Sequence, residues 1–84
     1  MRSRSRALGN ENIVGKTIVD LRKKQGMTQK ELLAKLQVTG LEMSATSLSQ
    51  LEGKYRTAKD YEVLAVAEAL NVDLDTIYGR KKID

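Results

Sequence analysis

Residues 27–32 read Met27-Thr28-Gln29-Lys30-Glu31-Leu32, and this run decides how the rest of the chain divides. A threonine hydroxyl accepts the backbone N–H three residues on, and a glutamate at that third position reaches back to the threonine backbone. Thr28 and Glu31 therefore make a capping box, with Met27 and Leu32 as the hydrophobic staple around it. Gly26, just upstream, suits the left-handed conformation that ends a preceding helix. The stretch reads as the junction between two helices, one closing at Gly26 and one opening at Thr28.

Working outward, Val14, Ile18 and Leu21 fall at i, i+4 and i+7 and predict a first helix over residues 11–25. The second helix runs to residue 37 and buries Leu32, Leu33 and Leu36. Residues 38–43, with Gly40, read as a connector. Ser44 is an N-cap for a third helix over 45–53, with Leu48 and Leu51 inward. Its outward residues, Ala45, Thr46, Ser49 and Gln50, are small or polar and uncharged, where an ordinary helix surface carries Lys and Glu. A basic loop follows, Gly53-Lys54-Tyr55-Arg56-Thr57. Val63, Val66, Ala67 and Leu70 predict a fourth helix over 59–70, which Asn71 breaks. Asp73 caps a last helix over 74–78, stapled by Val72 and Ile77 and ended by Gly79. The expected fold is all-α: one compact five-helix domain over residues 11–79, with Leu48, Leu51, Val63, Val66, Leu70 and Ile77 in its core. A basic arm (1–10), expected to be disordered, precedes the domain, and a short basic tail (80–84) follows it.

Composition narrows the chemistry. The 84 residues include no Cys, His, Trp, Phe or Pro. A disulfide framework, a zinc finger and a Ser-His-Asp or Cys-His catalytic set are therefore excluded. Only Tyr55, Tyr61 and Tyr78 are available for stacking, too few for a sheet-type RNA platform. Carboxylates such as Asp73 and Asp75 suit helix starts better than catalysis, and no nucleophile–base set accompanies them. No enzyme activity, metal or cofactor is expected. The net charge of +4 is unevenly spread. Residues 1–59 hold twelve basic and five acidic side chains, and residues 60–84 hold three and six. The front of the chain is the anion-facing part, unless the charge serves only solubility. Arg2, Arg4 and Arg6 alternate with small residues in the arm, as a segment that neutralises phosphates or enters a minor groove, or as a frayed terminus. No apolar run in the first residues has the length of a signal peptide, and nothing approaches a membrane span, so a cytoplasmic location is expected.

The residues quoted above resemble the Xre, or lambda-repressor-like, helix-turn-helix family. The likeness rests on Gly26-Met27-Thr28-Gln29-Lys30-Glu31-Leu32 followed by Leu48-Ser49-Gln50-Leu51-Glu52, and extends through Asp60-Tyr61-Glu62 to Val72. The chain departs from the family pattern in three places. Val38-Thr39-Gly40-Leu41-Glu42 lengthens the connection between helices two and three. Leu33 replaces a usual Ala, and glycine follows Glu52 directly instead of one residue later. The resemblance implies that helix three reads the major groove of double-stranded DNA while helix two lies over the backbone. It aligns Ala45, Thr46, Ser47 and Gln50 with base-contacting positions. Gln50 is suited to adenine, and Ala45 and Thr46 to the thymine methyl. Gln29, Lys30, Ser44, Ser49, Lys54, Tyr55 and Arg56 are expected at phosphates, and Gln29 also as a brace for helix three. The function implied is a transcriptional regulator, a repressor, bound as a homodimer through the acidic rear helices, with Leu64 and Tyr78 exposed. No small-molecule ligand is evident. The competing reading is an antitoxin or adaptor module that covers a protein partner and binds DNA only secondarily.

Overall fold

Why the chain forms five helices is visible at their ends. A computed structural model describes residues 12–81; the arm with Arg2, Arg4 and Arg6, and tail residues 82–84, lie outside them. The helices are α1 (Gly15–Lys24), α2 (Gln29–Thr39), α3 (Ala45–Glu52), α4 (Asp60–Leu70) and α5 (Leu74–Ile77), and no strand occurs among the described residues. The capping box at Thr28 is formed: its hydroxyl accepts from the Glu31 N–H at 3.0 Å, and its own N–H donates to Glu31 Oε1 at 2.8 Å. Ser44 and Asp73 cap α3 and α5 by accepting from the Ser47 and Thr76 N–H groups.

Two helix ends differ from the sequence expectation by more than one residue. The 11–25 helix was expected to include Ile13 and Val14, whereas α1 opens at Gly15. The Asn12 side chain accepts the Gly15 N–H at 2.8 Å and holds the preceding backbone out of the helix. At its far side α2 continues two residues past Gln37, to Thr39. Gly40 then takes a left-handed φ of 101°, and the Leu41 N–H returns to Leu36 O at 3.1 Å, a Schellman closure. The connection to α3 is correspondingly shorter than 38–43.

The apolar stripes meet in one core. Val14, Ile18 and Leu21 of the α1 region, Leu32 and Leu36 of α2, Leu48 and Leu51 of α3, and Ile77 of α5 are all buried. α4 is the central strut: Val63, Ala65, Val66, Ala67 and Leu70 are buried along it, and α2 packs on it more extensively than any other pair of helices. Leu33 lies half-buried against this core with Met27, Leu41, Met43 and Val72. The side-chain amide of Gln25 donates to Leu70 O at 2.8 Å and so satisfies a carbonyl at the end of α4. At the end of the described chain Lys81 pairs with Asp73 at 2.6 Å. Hydrogen bonds from Lys81, then from the Thr76 N–H and hydroxyl, hold the Asp73 carboxyl down at about 2.

Candidate nucleic-acid interface

α3 is short, and burial of Leu48 and Leu51 on its inner side fixes which residues face out. Ala45, Thr46, Ser49 and Gln50 are exposed. With the ring of Tyr55 they line a shallow concavity of about 400 Å³. The Gln50 side-chain amide has no hydrogen-bond partner among the described residues, so both its donor and its acceptor are available. Ser47 sits on the flank, half-buried, with its carbonyl accepting from Arg56 Nε at 3.2 Å.

A polar brace fixes α3 to α2. Gln29 Nε2 donates to Glu52 Oε1 at 2.8 Å, and the Ser49 hydroxyl donates to Gln29 Oε1 at 3.3 Å. Arg22 of α1 grips the same Glu52 carboxylate through Nε at 2.8 Å and Nη2 at 3.1 Å, and donates Nη1 to Met27 O at 2.8 Å. The fork geometry is that of a bidentate pair, and both side chains are largely buried. Glu52 is the one charged residue of α3, and Arg22 neutralises it, so the outer face stays uncharged.

The loop after α3 sorts its three candidate contacts into two groups. Lys54 and Tyr55 stand exposed beside the α3 face. Arg56, expected at a phosphate, turns inward instead. Its guanidinium makes a bidentate pair with Glu62 (2.8 and 3.1 Å) and also donates to Ser47 O and Thr57 O. Glu62 accepts the Lys59 N–H as well, at 2.9 Å. Burial opposes the charge on Glu62, but the hydrogen bonds from Arg56 and the Lys59 backbone outweigh it and hold the carboxyl below its ordinary value. Asn12, at 1% exposure, closes the loop from beneath: its amide donates to Leu51 O at 3.0 Å and Arg56 O at 2.7 Å. Gly15 lies so close that a Cβ there would stand 2.5 Å from Leu51 O.

Of the remaining expected contacts, Lys30 and Ser44 border a groove between α2 and the segment leading into α3. The structure thus gathers Ala45, Thr46, Ser49, Gln50 and Tyr55 on one face, with Lys30, Ser44 and Lys54 exposed around it. Gln29 is in the brace, and Arg56 in the support beneath. Asn12, Arg22, Glu52 and Glu62 had no assigned role in the sequence reading. Glu52 and Glu62 stand within the quoted family-like motifs, which was the available signal; Asn12 carried none.

Two helices joined across a short turn, the second capped, braced and turning an uncharged face to solvent, define a helix-turn-helix DNA-binding domain. A family model described as Helix-turn-helix matches residues 18–77. The chain belongs to the Xre/lambda-repressor-like helix-turn-helix family, a family of DNA-binding transcription regulators. No curated protein and no solved structure matches it. Among the described residues no helix is long and apolar enough to cross a membrane.

Proposed function

We propose that this chain is a sequence-specific regulator that lays α3 in the major groove of an operator and acts as a repressor. The observation that carries the reading is the outer face of α3, where Ala45, Thr46 and Gln50 are exposed around a concavity and the helix's one charge is neutralised from behind. Base edges are read by such uncharged donors, acceptors and methyls, and the absence of Arg and Lys from α3 favours A·T over guanine contacts. Lys30 and Lys54 supply phosphate contacts on either side, together with Ser44 and the N-terminal end of α2. Arg2, Arg4 and Arg6 extend the grip along the backbone, with part of the discrimination left to DNA shape.

One such domain touches one half-site, so useful specificity calls for two copies on a palindrome. Leu64 and Tyr78, exposed on α4 and just after α5, offer a contact for the second copy. Repression needs only occupancy of a site that overlaps a promoter, and no metal or cofactor enters this reading. A cytoplasmic setting follows from the partner. The test is selection of bound duplexes from a random-sequence pool by the full chain. An enriched palindrome, followed by loss of expression from a promoter carrying it, is the expected result. A pool without enrichment sinks the reading.

A further inference from the structure

Tyr55 is 79% exposed, a large apolar ring on a surface otherwise built from small side chains. It is nevertheless held. Its N–H donates to Gln50 O at 2.8 Å, and Lys54, at φ 66°, turns the chain back toward α3. The ring lies over the backbone of Gly53, where an added Cβ would stand 2.8 Å from both Cδ2 and Cε2. Tyr55 thereby becomes a wall of the concavity whose other lining residues are Ala45, Thr46, Ser49 and Gln50. Among the described residues no cation lines that concavity, so it is poorly made for a phosphate. Its methyl groups and ring suit an apolar group, and thymine alone among the four bases shows a methyl in the major groove.

We propose that Tyr55 belongs to the base-reading surface and, with Ala45 and Thr46, receives the 5-methyl group of a thymine. This rests on the proposed reading of DNA by α3 and adds a specificity determinant to it. The ring is the working part, and the hydroxyl serves only to keep the outer edge wet. Gly53 is part of the device, because any side chain there pushes the ring off its seat.

The experiment uses the full chain and the duplex enriched from the random pool. Each thymine is replaced in turn by deoxyuridine, which lacks only the methyl, and affinity is followed by fluorescence anisotropy. At one thymine in each half-site, deoxyuridine weakens binding about fourfold, the effect of leaving one methyl unburied. In Tyr55→Ala the thymine and deoxyuridine duplexes bind alike. Tyr55→Phe keeps the preference, and Gly53→Ala reduces it by displacing the ring. Tyr55 lies outside the core, so its variants keep the wild-type thermal midpoint, which circular dichroism checks. The proposal is overturned if deoxyuridine is neutral at every position, or if Tyr55→Ala still prefers thymine. A pool that enriches no sequence removes the DNA reading and this proposal together, whereas an enriched site without a methyl effect removes this proposal alone.

Discussion

Asn12 makes three hydrogen bonds from a fully buried position, and each goes to backbone. Truncation leaves the buried Gly15 N–H without its acceptor and takes a donor from the Leu51 and Arg56 carbonyls, which costs about 1–3 kcal/mol. Asn12→Ala is expected to lower the unfolding free energy in urea by that amount. Glu62 and Arg56 form the other concentrated contact. Because the folded pKa of Glu62 lies below its ordinary value of 4.5, its contribution is complete above that pH and is lost as pH falls through the depressed folded value. Glu62→Gln leaves Arg56 without its counter-ion. The variant should lose about 2 kcal/mol at pH 7 and show a flatter decline in stability below pH ~5 than the parent. On the outer face of α3, Gln50→Ala should weaken the selected duplex by about 1–3 kcal/mol and leave binding to a random duplex almost unchanged. Equal losses on both would show that Gln50 does not read bases.

Every helix closes in the same way. A left-handed residue stands at Gly26, Gly40, Lys54, Asn71 and Gly79, and in each case the next N–H returns five residues to the helix. At α3 the glycine and the left-handed position do not coincide. Gly53 has an ordinary φ of −84°, and the strained position falls to Lys54. The glycine that follows Glu52 one residue early therefore does not supply the left-handed residue; it leaves room for Tyr55. Lys54→Gly should relieve the strain and raise stability by about 1 kcal/mol, while weakening binding to all duplexes through the loss of a cation. Thermal melts and anisotropy separate the two effects. A variant that is both less stable and tighter-binding would contradict this account of the turn.

Across the whole molecule α3 is held from both sides. The Arg22–Glu52–Gln29 brace joins it to α1 and α2, and the Asn12 and Arg56–Glu62 contacts fix the loop beyond it. With no cation on α3 itself, affinity for DNA has to come from the surrounding lysines and arginines. Log affinity should fall steeply and linearly with log salt for selected and random duplexes alike; a nearly flat slope would refute an electrostatic grip. Pairing of two copies on DNA is expected to involve the apolar residues of the rear face. Leu64→Glu, on an already acidic surface and 52% exposed in the free chain, should leave folding intact. It should convert the two-copy complex on a palindrome to a one-copy complex, as seen by sedimentation of the DNA-bound species.

The helices were legible in the sequence because their determinants are local. Thr28 and Glu31, Ser44 and Asp73 sit at fixed distances from the N–H groups they satisfy, and Leu48 and Leu51 repeat at helical spacing, so cap and buried face follow from order along the chain. The uncharged outer residues of α3 were legible for the same reason: once the inner face is known, the outer one follows. The destinations of the long polar side chains were not. Arg56 in a basic loop looks like a phosphate contact, and only folding brings Glu62 within 2.8 Å of it. Asn12 reads as part of the first turn of the first helix, yet its amide meets Leu51 O, 39 residues away. Sequence alone thus determined the elements and the face that is turned outward, since both depend on neighbours in the chain. The tertiary structure decided which polar groups are occupied in holding that face and which remain for a ligand. A buried donor takes whatever acceptor the packing brings to it, and no spacing in the chain specifies that acceptor.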